Sequence, residues 1–327
     1  MSYMDGYRYE KVEMEVSLKN NIFFSLKKIK KLYPLHLITM FFAIVASVVM
    51  MLQKGLRLKS IIWLGGEIVL NLTLLQTWVP YNGINVSLNG VAWYLSVTLF
   101  LYFMFPWIKR IIERKSIVKL CIICGIILFT EVVSCIPFIT IFGNNSHVYL
   151  WFMYCFPVFR LGDFFIGCVL KRIFFESNVR NIEGIKATFF EVLAVVITVL
   201  VLICFNQEHS DVMLIALNNW TTIFIPLAAI WVLLFAVNKG IITKILSNKM
   251  AMFIGNISAY AFLIHYVITQ YMLHLLSFMN IDVVGWKRVI LVFFELVVSI
   301  GLSVLYRHFH ERVITKLFRA KNKIVSQ

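Results

Sequence analysis

Charge is scarce in this chain, and the usual punctuation of soluble proteins is missing. Only 14% of its 327 residues are Asp, Glu, Lys or Arg, against about a quarter in soluble domains. That deficit excludes an ordinary soluble enzyme. No long polar stretch separates the apolar runs, so no separate soluble domain is expected. No Gly/Ser-rich or Pro-rich linker divides the chain, and no repeat of the kind that marks many transporters is visible. The six cysteines (Cys121, Cys124, Cys135, Cys155, Cys168 and Cys204) lie mostly in apolar runs. Cys121 and Cys124 make a C-x-x-C with no second pair or adjacent His, which predicts small packing residues and no metal site. No secretory signal opens the chain. Residues 1–31 are polar and charged, with Glu10, Glu13 and Glu15 followed by Lys27, Lys28, Lys30 and Lys31.

Hydrophobic residues make up 61% of the chain, and they occur in runs long enough to cross a bilayer. The expected fold is therefore an all-α, polytopic transmembrane helix bundle. Eight segments have span length: about 34–53, 91–108, 117–139, 148–170, 187–205, 216–237, 252–278 and 287–306. A ninth, 61–78, carries Glu67, Asn71, Thr73, Gln76 and Thr77, and reads as an interfacial or re-entrant helix.

The net charge of +15 follows membrane topology, because Lys and Arg cluster between the apolar runs; nucleic-acid binding is not expected. With eight spans and a cytoplasmic N-terminus, the inside collects Lys27 to Lys31, Lys109 to Lys119, Lys171 to Lys186, Lys239 to Lys249 and the tail from Arg307. The outside receives Lys54, Arg57, Lys59, Lys287 and Arg288. Counting 61–78 as a full span would reverse every later loop, so both termini are expected in the cytoplasm.

Ionisable side chains at bilayer depth are costly and point to function. The chain places Glu131, Arg160, Asp163, Glu191, His265 and Glu295 there, with Glu67 on the interfacial segment. Arg160 and Asp163 are three apart and share a helix face. Two readings stand: a planar fork for a carboxylate, phosphate or thioester oxygen, or an ion pair that only fixes packing. His265, at a similar depth by residue count, suits a base, an oxyanion donor or a helix-helix hydrogen bond. Glu131 and Glu295 read as helix-helix hydrogen-bonding groups. Lys28 and Lys31 suit either positive-inside anchoring or a seat for anionic coenzyme A phosphates.

The stretch from Asn89 to Pro106, NGVAWYLSVTLFLYFMFP, orders Asn, Gly, Trp, Ser, Tyr and Pro in a way lipid alone does not demand. Together with KKIKKLYPLHLI, LTLLQTWVP and PVFRLGDFFIG it resembles the membrane acyltransferase-3 family, which O-acylates surface polysaccharides and related glycans. Lys28 and Lys31 stand where the family's basic pair is usually Arg. Gln76, Trp78, Asn89, Gly90, Trp93 and Ser96 match its interfacial segment and the following helix entry. Tyr102 and Pro106 match Y-x-x-x-P, and Pro157, Arg160, Asp163 and Gly167 match P-x-x-R-x-x-E/D-F-x-x-G. Gly255, Ile257, Ser258 and His265 match the late motifs, and Glu311 falls at the final Tyr/Phe-x-x-Glu. Val97, Thr98 and Leu99 replace a V-E-E common in the family.

The resemblance implies transfer of an acyl group, commonly acetyl, from acyl-CoA to a sugar hydroxyl of a surface glycan or lipid-linked saccharide in a bacterial cell membrane. It implies that Lys28, Lys31 and Arg160 bind the donor, that Trp93, Ser96 and Tyr102 shape the acceptor side, and that Asp163 and His265 support the chemistry. On this reading residues 1–312 form a partial family domain and 313–327 a basic cytoplasmic tail. The family's first helix, with its Arg and catalytic His, and its second helix have no counterpart here. Met1-Ser2-Tyr3 reads like the residues just after them, so a chain complete as given is expected to be impaired. A glycolipid transporter or a non-catalytic fragment are the rival expectations.

Overall fold

A computed structural model describes residues 16–205, 212–217, 222–281 and 284–325. The described residues form helices and turns, with no strand among them. In chain order the principal helices are α1 (Leu18–Ile29), α2 (Tyr33–Gln53), α3 (Leu58–Leu72), α4 (Trp93–Arg114), α5 (Ile117–Phe142), α6 (Arg160–Glu176), α7 (Gly184–Phe205), α8 (Phe224–Val237), α9 (Ile241–Leu246), α10 (Lys249–Phe278) and α11 (Trp286–Val325). Seven stretches among the described residues are long and apolar enough to span a membrane.

Within the expected run 216–237, the described residues include the 14-residue α8, about 21 Å long. The polar Thr222 lies in a turn before α8, and the chain turns again at Asn238, whose φ of 50° is left-handed. Residues 218–221 lie outside the described part. The 61–78 segment behaves as a polar-interrupted run should. Its helix α3 stops after 15 residues, followed by a left-handed Leu74 (φ 55°) and a short 3-10 turn that buries Gln76 and Thr77. At about 22 Å, α3 falls short of a bilayer core.

The chain divides into two compact units. The first comprises residues 1–29, 74–85 and 93–248. Its core is Tyr102, Phe105 and Ile108 of α4 against Phe164, Phe165 and Val169 of α6, with Leu120 of α5. The alternation of large and branched side chains lets α4 and α6 interdigitate closely. Arg172 of α6 reaches the carbonyls of Ile112 and Lys115 and pairs with Glu176, tying the basic ends of α4 and α6 together.

Helix α1 packs on α4 in an unusual sense. It buries Asn21, Ser25 and Ile29, one i, i+4 stripe, while Leu18 (66% exposed) and Phe23 (70%) face outward. Lys19, Asn20 and Lys27 are exposed as well, so the outer side mixes apolar and basic groups, as helices at a membrane surface do.

The second unit comprises residues 30–73, 86–92 and 249–327. Pro34 opens α2 at a position where its missing N–H costs nothing. Met40 and Ala43 of α2 pack with Leu88, Leu64 and Ile68. α10 packs against α2 and α11. Glu295 of α11 lies 2.5 Å from the Thr269 hydroxyl of α10, the helix-helix contact expected of a carboxylate at this depth.

Candidate functional site

In the first unit, the expected Arg160–Asp163 pair forms, and its setting explains why. The run 148–170 is not one smooth helix. A four-residue helix, His147–Leu150, starts at Ser146, whose hydroxyl accepts from the Tyr149 N–H, and passes into a π-helical turn, Trp151–Cys155. Pro157 then has no N–H to offer the Met153 carbonyl four residues back. Arg160, the first residue of α6, supplies what Pro157 withholds. Its Nη2 donates to Met153 O at 2.6 Å, its Nε to Tyr154 O at 2.9 Å and its Nη1 to Asp163 Oδ2 at 2.8 Å. The guanidinium is thus both the cap of a broken turn and the partner of a carboxylate. The pair is largely enclosed, with side-chain exposures of 12% and 29%.

Glu131 of α5 stands against the same place. It is buried, and its Oε1 occupies the space that a Cβ at Gly162 would need. Gly162 therefore permits the close approach of α5 to α6 beside Asp163. The other oxygen of Glu131 accepts from the Thr222 hydroxyl at 3.4 Å. Glu131 thus bonds a turn residue and not the helix partner expected of it, and it adds a second carboxyl group beside the Arg160–Asp163 pair.

Trp93, the first residue of α4, meets Tyr154 with ring centroids 4.6 Å apart. Since Tyr154 also hands its carbonyl to Arg160 and lies under the guanidinium at 5.7 Å, Trp93, Tyr154, Arg160 and Asp163 form one group. Ser96 is buried beside it in a different role. Its hydroxyl donates to Leu74 O at 2.5 Å and lies 2.6 Å from the Thr77 hydroxyl, while Trp151 Nε1 donates to Thr77 O at 2.8 Å. Ser96 thereby joins the left-handed turn at Leu74 to the π turn. Tyr102 lies nine residues along α4 from Trp93, about 14 Å. It is buried among Phe24, Phe105 and Phe164, with the Lys28 ammonium 5.0 Å from its ring. Thr98, at the position of the absent carboxylate, is buried in the same helix.

Lys31 and His265 belong to the second unit. Lys31 lies 5.5 Å from the Tyr260 ring. His265 Nδ1 is 3.2 Å from Ala261 O. A carbonyl can only accept, so Nδ1 carries a proton and Nε2 is the nitrogen not engaged by this contact. Asn89 is buried, donating to Thr39 Oγ1 and Leu263 O, both at 2.9 Å, and Gly90 admits the Tyr266 ring where a Cβ would collide. The ordered Asn-Gly of the sequence is thus a docking point for the 86–92 segment. The Glu311 side chain and Met1 to Tyr3 lie outside the described residues.

Two groups escaped sequence reading. His36 is fully enclosed; its Nε2 faces Asn71 O at 3.1 Å, which assigns the proton to Nε2 and leaves a buried Nδ1 lone pair without a partner. Asn71 in turn donates to Ser87 Oγ at 3.0 Å. The one available signal was a His inside an apolar run. Glu191 of α7, read only as an ionisable residue at depth, accepts from Ile242 N, Thr243 N and Thr243 Oγ1 at 2.8, 3.2 and 2.6 Å. It caps the start of α9 from a distant helix. Among the described residues no group of His, Cys, Asp or Glu is arranged to hold a metal.

Comparison with known proteins bears on the family alone. The Acyl_transf_3 family model, an acyltransferase domain, matches residues 22–308. The chain belongs to the acyltransferase-3 family. Acyltransferase MdmB of Streptomyces mycarofaciens is 28% identical over 155 residues, which cover 45% of this chain and 38% of that protein. The chain thus aligns with well under half the length of this curated relative. No solved structure matches the chain.

Proposed function

We propose that this family member is an O-acyltransferase of the bacterial cell membrane, moving an acyl group, acetyl, from acyl-CoA to a sugar hydroxyl of a surface glycan or lipid-linked saccharide. The family match across residues 22–308 carries the reading. In the reaction, the sugar oxygen attacks the thioester carbonyl carbon, the C–S bond breaks, and the hydroxyl proton must go to a base while coenzyme A leaves as the thiol. His265 is suited to take that proton: its Nδ1–H is occupied by Ala261 O, so Nε2 is the basic nitrogen, and the side chain is only partly buried. Lys28 and Lys31 are assigned to the donor's phosphates, each ammonium resting near an aromatic ring that leaves its charge intact.

Arg160 is assigned a positioning part. Three of its N–H groups hold the Pro157 turn and Asp163, and through Tyr154 that turn sets Trp93, whose face suits a sugar ring. Ser96 and Tyr102, on the same helix as Trp93, are assigned to the acceptor side as well.

The test uses membrane vesicles containing the full chain, incubated with radiolabelled acetyl-CoA, the label being counted in extracted lipid-linked saccharide and glycan. Label above that of vesicles lacking the chain is expected, with a loss of about 100-fold or more for His265→Gln. Label no greater than background overturns the transferase reading, and an unchanged rate in His265→Gln removes His265 from the proton transfer.

A further inference from the structure

The second unit holds a cleft that none of the family motifs touches. Its volume is about 630 Å³, and it opens where α2 ends and α3 begins. Gly55, with φ +84°, turns the chain just after α2, and Arg57 is extended before α3 starts at Leu58. This tight reversal brings the exposed Lys54, Arg57 and Lys59 together along one cleft, whose lining holds a single carboxylate, Glu67. No acidic residue occupies the first turn of α3, so the positive end of that helix adds to the field.

Anchoring does not account for these cations. α2 is flanked by Lys27, Lys28, Lys30 and Lys31 at its start and by Lys54, Arg57 and Lys59 at its end. Its 21 residues cover about 32 Å, so the two clusters lie on opposite faces of the membrane. The positive-inside rule explains one of them, whichever way the helix runs. The charge balance of the later loops makes Lys54 to Lys59 the outer one.

The walls below the mouth are of another kind. Met50, Met51 and Leu64 line the interior, and Trp63, 52% exposed, stands at the edge. Thioethers adapt to irregular chains, and an indole at this level favours the headgroup boundary. Cations above an apolar floor, at the membrane surface, select an amphiphile with an anionic head.

We propose that this cleft is a lipid-phosphate site: Lys54, Arg57 and Lys59 bind the phosphate, and the hydrocarbon chain lies along Met50, Met51 and Leu64. The phosphate has two possible sources, the headgroup of a bulk phospholipid or the phosphate of a polyprenyl carrier that bears a saccharide. The site stands whether or not the chain transfers acyl groups.

The full chain, purified in neutral detergent, is titrated with phosphatidylglycerol, polyprenyl phosphate, diacylglycerol and polyprenol, and bound lipid is counted by native mass spectrometry. Both phosphate lipids bind better than their phosphate-free counterparts. The triple variant Lys54→Gln/Arg57→Gln/Lys59→Gln weakens them by about tenfold or more, while Lys244→Gln/Lys249→Gln leaves them unchanged. Tighter binding of polyprenyl phosphate assigns the site to a carrier lipid; equal binding assigns it to bulk headgroups. Should the triple variant fail to fold, Arg57→Gln alone serves, with a loss of about threefold, and Lys54→Arg/Lys59→Arg retains binding. Phosphate lipids that bind no better than polyprenol and diacylglycerol overturn the proposal. So does a charge-removing variant that folds and binds them within twofold of the parent.

Discussion

Arg160→Ala separates two roles that the side chain combines. The substitution removes donors from Met153 O, Tyr154 O and Asp163 Oδ2 at once. Met153 O cannot recover a helical partner, because residue 157 is proline. Asp163 is left beside Glu131 with its cation gone, in a place where water is scarce. Breaking an enclosed pair from one side costs about 3–5 kcal/mol, and an orphaned carbonyl adds about 1–3 kcal/mol. A total of about 4 kcal/mol is a reasonable centre, because Asp163 is 29% exposed and water relieves part of the penalty. Much of that cost belongs to the stranded carboxylate, so Arg160→Ala/Asp163→Asn is expected to be about 1–3 kcal/mol more stable than Arg160→Ala alone. Denaturant titration of the purified chain in detergent, followed by tryptophan fluorescence, measures both. Trp93 and Trp151 lie in or beside the affected turn and report on it directly. A double variant no more stable than Arg160→Ala, or an Arg160→Ala chain as stable as the parent, refutes the account of Arg160 as cap and counter-ion.

Two further substitutions probe the close approaches of the first unit. Gly162→Ala places a methyl group where Glu131 Oε1 sits, so α5 and α6 must separate or the carboxyl group must turn away; a destabilisation of about 1–3 kcal/mol is expected in the same titration, and a neutral result refutes the tight seat. Glu191→Ala deprives the start of α9 of its acceptor for two backbone N–H groups and the Thr243 hydroxyl, and should cost about 3 kcal/mol, with faster amide exchange confined to Ile242 and Thr243. Unchanged exchange there would show that the carboxylate does not cap the helix.

The sequence displays whatever the lipid imposes locally. Apolar runs marked the long helices because every residue facing hydrocarbon must be apolar over a known length, and the Arg160–Asp163 pair was legible because both partners lie on one helical turn. Within the 216–237 run hydropathy gives no sign of the polar contact at Thr222, whose hydroxyl answers a carboxylate 91 residues away. Distant partners leave no periodic trace. Nothing near Glu191 announces Thr243, nothing near Gly162 announces Glu131, and His36 looked like one polar residue in an apolar helix until Asn71 O appeared opposite its ring. α1 shows the limit most clearly. Its residues are amphipathic by count, and the ordinary inference puts the apolar face inward; here Phe23 turns out and Asn21 turns in. A motif such as Asn-Gly-Trp-Ser identifies a family by order alone. The fold gives its members separate duties: Asn89 and Gly90 dock one segment in the second unit, Ser96 ties two turns together in the first, and Trp93 is left as the member whose ring meets the group held by Arg160.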